Sequence, residues 1–168
     1  LLRPEERLCI GFTLGFGVLG WLLFFMGMAD LFTPVPLFLV LAAGACGLAV
    51  LRDTFAPLAR GTVSWSPAWQ DLVLVAAIFI AISFDLLEGF SPPADADSLA
   101  YHFALPKRFL NLGGIEFVPV ALEGAVPLLT QMTYVPALGL GGETSMTLWA
   151  AVSGWAAPAL LFVICRRF

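Results

Sequence analysis

"LCIGFTLGFGVLGWLLFFMGM", residues 8–28, contains no charged side chain. Roughly 20 consecutive apolar residues are what a helix needs to cross the hydrocarbon core of a bilayer. This run meets that length, and after the break at Ala29-Asp30 residues 31–51 meet it again. Pro34 and Pro36 fall near the start of the second run, where a missing amide donor costs least. The two runs therefore predict a helical hairpin with a very short turn.

The whole chain agrees with that reading. Of its 168 residues 60 % are apolar and 12 % charged, and the mean hydropathy is +0.95. A soluble domain of this size needs a more charged surface. The net charge is −4, and no basic stripe points to a nucleic-acid partner. Cys9, Cys46 and Cys165 each sit in an apolar run without a CxxC pair. They read as small apolar residues, not as a disulfide framework or a zinc site.

A third span is expected over residues 72–90, a fourth over 124–142, broken by Pro127, Gln131 and Pro136, and a fifth over 144–165, with Pro158 near its end. Between the second and third spans lie Arg52, Asp53 and Arg60, followed by Trp65 and Trp69, side chains suited to a membrane–water boundary. The expected fold is thus all-α: a polytopic transmembrane helical bundle of about five spans. Its parts are three spans over 1–90, an extracytoplasmic loop with an interfacial helix over 91–123, and two spans over 124–168. Leu1 in place of a methionine and the Arg166-Arg167-Phe168 end read as cut ends. The sequence is accordingly expected to be a piece of a longer protein, inactive by itself.

Arg3 and Arg7 precede the first span and Arg52 and Arg60 follow the second. By the positive-inside rule that side is cytoplasmic. The loop then faces the other side, although Lys107-Arg108 and Arg166-Arg167 vote against this.

The loop carries an unusual share of the chain's chemistry: Asp95, Asp97, the one histidine His102, the one lysine Lys107, and Arg108. Pro92 and Pro93 end the third helix. Asp95 or Asp97 is placed to cap a helix beginning near Ser98, and Gly113-Gly114 to stop it. Leu99, Phe103, Pro106 and Leu110 form an apolar stripe flanked by Tyr101, Leu105, Phe109 and Leu112, with Lys107, Arg108 and Asn111 opposite. Such a segment suits the interface plane, basic face toward headgroups. Residue by residue, caps and headgroup contacts account for most of it. Taken together, Asp95 and Asp97 beside Asp85 and Glu88 concentrate carboxylates that can bind a divalent cation (Mg or Mn) or supply a base. Lys107 and Arg108 can meet an anionic lipid phosphate.

Residues 92–109, Pro-Pro-x-Asp-x-Asp-Ser-Leu-x-Tyr-His-x-x-Leu-Pro-Lys-x-Phe, with Gly-Gly-Ile at 113–115, resemble the first extracytoplasmic loop of bacterial multi-span glycosyltransferases of the GT-C class. Protein O-mannosyltransferases and the aminoarabinose transferase of lipid A are relatives in that class. Asp97 and Tyr101 match the family's Asp-Glu-x-x-Tyr setting, and Ser98 stands where the glutamate often is. The likeness continues more weakly through Glu143. It implies transfer of a sugar from a polyprenyl-phosphate carrier to an acceptor hydroxyl outside the cytoplasm, in a bacterial inner membrane. It further implies Asp97 as base, Asp95 supporting it or helping to bind a cation, Lys107 and Arg108 on the departing lipid phosphate, and Tyr101 and His102 on the acceptor side. A transporter segment and a non-catalytic membrane scaffold are the competing readings. Intramembrane charges in mid-span would favour the first, and Gln131 is the only strongly polar mid-span residue.

Overall fold

A computed structural model describes residues 3–60, 68–94, 96–119 and 129–165, and the side chains of all of these except 50–60. Every regular element among them is helical. The first is α1, Pro4–Met28, which opens with proline at a position needing no amide donor. Glu6 Oε2 accepts from the Arg3 N–H at 2.9 Å, an acid in the first turn where the helix end carries partial positive charge. α2 runs Pro34–Arg60. α3, Trp69–Gly89, repeats the N-terminal device, with Asp71 Oδ2 accepting from the Ala68 N–H at 2.9 Å.

A π-helical turn, Ser98–His102, leads into α4, Ala104–Leu112. The short α5, Leu129–Met132, is followed by α6, Tyr134–Gly154, and α7, Ala156–Cys165. Three of these junctions share one cause. The chain leaves helical bonding at Phe103, Thr133 and Trp155, each three residues before a proline: Pro106, Pro136 and Pro158. A proline has no amide to bond the carbonyl four residues back, and its ring crowds that carbonyl.

Three described helical segments are long and apolar enough to cross a membrane: Pro4–Met28, Trp69–Gly89 and Tyr134–Cys165. Pro34–Ala49 is apolar but shorter. At the expected boundary between the fourth and fifth spans, residues 142–144, two helical runs meet at a kink. Gly142 takes up the change of direction at φ 75° and ψ −171°, a backbone geometry open to glycine. Residues 124–128 of the expected fourth span, and Trp65, lie outside the described residues; Trp69 opens α3 with its side chain 71 % exposed. Along the spans Val18, Phe25, Phe38, Phe79 and Phe84 also stand outward. Such a surface is unfavourable in water and suited to lipid.

The core lies at one end of the helices. Leu23 and Met26 of α1, Phe32 and Leu37 beyond the turn, Leu105 and Phe109 of α4, and Met132 and Val135 pack into one buried cluster. α6 touches α2, α3, α4, α5 and α7, so it is the common neighbour. The loop is therefore built into the protein. Phe103, Leu105, Pro106 and Phe109 are buried, so most of the predicted stripe meets other helices instead of lying in the interface plane, while Leu99 and Leu112 remain outside.

Two glycines seat it. Gly113, at φ 82° and ψ 0°, stops α4 as a left-handed cap. Its carbonyl accepts from the Phe32 N–H at 2.9 Å, and the Ile115 N–H donates to the Gly27 carbonyl at 2.9 Å. Between these bonds Gly114 lies against Asp30, which is itself held at φ 55°. The α1–α2 turn and the loop thus share a backbone-to-backbone junction.

Candidate functional site

The last turn of α3 brings Asp85 and Glu88, three residues apart and so on one helix face, to a cleft of about 400 Å³. Its other walls include Pro92 and Pro93 of the loop, Ser98, Phe103, and Thr147 of α6. Gly89 permits the close approach, since a side chain there would meet Leu148 at 3.1 Å. The Thr147 hydroxyl donates to the Gly89 carbonyl at 2.5 Å, and the Trp155 indole N–H to Asp85 Oδ2 at 3.1 Å. These bonds hold α3 to α6 and aim one carboxylate. Among the described residues no Lys or Arg lines the cleft. It presents carboxylates and hydroxyls beside an apolar wall, donors and acceptors suited to a hydroxylated ligand.

Asp97 stands just before the π-helical turn with its side chain exposed. Of the two residues expected to offer a cap, Asp97 makes no side-chain cap bond. At φ −72° and ψ −40° it is already helical, so it lacks the extended geometry that turns a capping side chain back onto the following amides. Its carboxylate is uncommitted among the described residues. Asp95 lies outside the described residues, so its expected roles beside Asp97 have no structural account.

Tyr101 packs against the main core cluster, its ring 4.2 Å from that of His102. His102 Nδ1 lies 2.5 Å from Nε2 of Gln131, which is only 4 % exposed. Lys107 Nζ meets Glu143 Oε1 at 2.6 Å, tying α4 to α6 beside the Gly142 bend. Arg108 is exposed. The predicted residues thus fall into two places: Asp85 and Glu88 in the cleft, and His102 and Lys107 in contacts that hold the loop onto α5 and α6.

Gln131 and Glu143 are the partners that reasoning from the loop alone overlooked. Both carry a signal, as Gln131 interrupts an apolar run and Glu143 is the only charged residue between Glu123 and Arg166. Both members of the Lys107–Glu143 pair are more than a third exposed. Exposed pairs contribute at most about 1 kcal/mol. Lys107→Ala and Glu143→Ala are each expected to leave the thermal unfolding midpoint in detergent nearly unchanged.

Among the described residues no three His, Cys, Asp or Glu side chains gather as a metal site would require. Asp95, one of the two residues expected to hold a divalent cation, lies outside the described residues. No protein-family model, curated protein or solved structure matches the chain.

Proposed function

We propose that this chain is the N-terminal part, with the acceptor-side loop, of a multi-span membrane glycosyltransferase of the GT-C class. It would move a sugar from a polyprenyl-phosphate carrier to an acceptor hydroxyl on the extracytoplasmic face of a bacterial inner membrane. The observation that carries the reading is the juxtaposition of the 92–109 motif with the cleft: its prolines, Ser98 and Phe103 wall a hollow that Asp85 and Glu88 face. Two further features support it. Asp97 has an uncommitted carboxylate, and the apolar spans supply a surface for a polyprenyl chain.

In the proposed reaction the acceptor oxygen bonds to the anomeric carbon of the sugar while its proton passes to the Asp97 carboxylate. The bond from that carbon to the phosphate oxygen breaks, and its electron pair leaves with the lipid phosphate. Lys107 and Arg108 stabilise the charge that gathers there, an effect strengthened near hydrocarbon where water is scarce. Tyr101 and His102 shape the acceptor side. A cation has no assigned step.

Lys107 cannot serve the phosphate and Glu143 equally at the same moment. Lys107→Ala is therefore expected to cut transfer at least tenfold, whereas Glu143→Ala keeps or raises it by freeing the ammonium group. Equal losses in the two variants would reduce the pair to a structural tie. The reading as a whole is tested with membranes carrying the full-length protein that contains this chain, supplied with radiolabelled polyprenyl-phosphate sugars. Protein-dependent labelling of an acceptor supports it. Labelling no greater than in membranes lacking the protein, together with solute flux in reconstituted vesicles, would replace it with a transporter.

A further inference from the structure

The buried end of α5 contains a polar arrangement that packing alone does not explain. Gln131 is 4 % exposed, its amide nitrogen faces His102 Nδ1 at 2.5 Å, and its Oε1 has no partner among the described residues. We infer that Gln131 is a positioning residue that holds His102 as a hydrogen-bond donor through Nε2.

An amide nitrogen only donates, so the Nδ1 facing it must present its lone pair, and the proton of the neutral ring then sits on Nε2. The opposite amide orientation would put Oε1 on Nδ1 and leave both amide N–H groups buried without acceptors. Buried orphan N–H groups are rarer than under-satisfied carbonyl oxygens, which favours the arrangement found. The unpartnered Oε1 also shows that no bond to its own oxygen orients this amide among the described residues.

His102 closes the π-helical turn, in which the Phe103 N–H donates to the Ser98 carbonyl five residues back at 3.0 Å. Such turns are rare and frequent at functional sites. Closing over five residues, this one brings Asp97 and His102 nearer to a common side than an α-helical turn would. The consequence rests on the proposed role of Asp97 as proton acceptor. An acceptor hydroxyl takes a hydrogen bond from His102 Nε2–H on its lone pair and turns its own proton toward Asp97. His102 therefore orients the alcohol and is not the base. The acceptor class is an alcohol in preference to an ammonium group, which has no lone pair to offer.

His102 is the only histidine, so the full chain made with 15N-labelled histidine and placed in lipid nanodiscs gives one imidazole signal set. Long-range proton–nitrogen correlations report which nitrogen carries the proton. The wild type is expected in the Nε2–H form. Gln131→Leu is expected to mix the two tautomers, and Gln131→Glu, whose carboxylate only accepts, to draw a proton onto Nδ1. A wild-type ring protonated on Nδ1 alone would overturn the inference. So would a tautomer unchanged in both variants; Gln131→Glu alone decides if the leucine variant does not fold. In transfer assays Gln131→Leu is expected to raise the acceptor KM about tenfold with a smaller change in the carrier KM. The spectrum does not depend on turnover. A protein that holds the Nε2–H form yet transfers no sugar would count against the proposed reaction and leave the Gln131–His102 assignment standing.

Discussion

Gly114→Ala is expected to lower the stability of the folded chain by roughly 3 kcal/mol, the largest structural effect among the substitutions considered. A methyl group at this position would lie 2.8 Å from the Gly27 carbonyl oxygen and in collision with Asp30 Oδ1. The carboxylate can rotate away, but the Gly27 carbonyl is helix backbone and cannot. Inserting atoms into such a contact costs about 1–3 kcal/mol. The Phe32–Gly113 and Ile115–Gly27 backbone bonds on either side would lengthen together, at about 1 kcal/mol each. Gly15→Ala is the control, because a methyl there meets nothing within 4 Å and alanine is the better helix former by about 1 kcal/mol. Thermal unfolding of both variants in the same detergent should therefore move in opposite directions. Gly114→Ala at the wild-type midpoint would mean that the loop is not seated on the α1–α2 turn.

Asp97→Asn is expected to have the largest effect on activity. General base catalysis contributes about 10²–10⁴-fold, and asparagine keeps the shape of aspartate while losing its ability to take a proton. The carboxylate is exposed and makes no cap bond. Its loss should therefore change stability by no more than about 0.5 kcal/mol. Transfer falling by two to four orders of magnitude at an unchanged unfolding midpoint would separate chemistry from folding. A parallel loss of both would make Asp97 a structural residue.

The apolar helices were the most legible part of the fold. Residues 8–28 contain nothing that would end a helix in lipid, and α1 extends that run only back to Pro4. The 72–90 run likewise becomes Trp69–Gly89. The break at Gly141-Gly142-Glu143 was legible too, since Gly142 leaves helical geometry there at φ 75° and ψ −171°. Beside this kink the Ser145 hydroxyl donates to the Gly141 carbonyl four residues back at 2.9 Å, and Lys107 of α4 meets Glu143. Only the second of these contacts is out of reach of local sequence.

The loop shows the same division. Its apolar stripe and glycine stop were readable, since periodicity and a left-handed cap are local properties. Whether the stripe would face lipid or protein was not, because the answer depends on Gly27 and Asp30, far back along the chain. The residue types at the site were equally visible. The commitment of His102 to Gln131, and of Lys107 to Glu143, follows from where α5 and α6 pass.

The central claim is that the loop chemistry transfers a sugar from a lipid carrier, and a comparison of two membrane preparations tests it most directly. Wild-type and Asp97→Asn forms of the full-length protein that contains this chain, matched for folded amount, would be given a panel of radiolabelled polyprenyl-phosphate sugars while label in the acceptor fraction is followed over time. The account predicts time-dependent transfer from at least one carrier by the wild type and a signal near background for the variant. Transfer at equal rates in both would remove Asp97 from the chemistry, and no transfer by folded wild-type protein from any carrier would contradict the account.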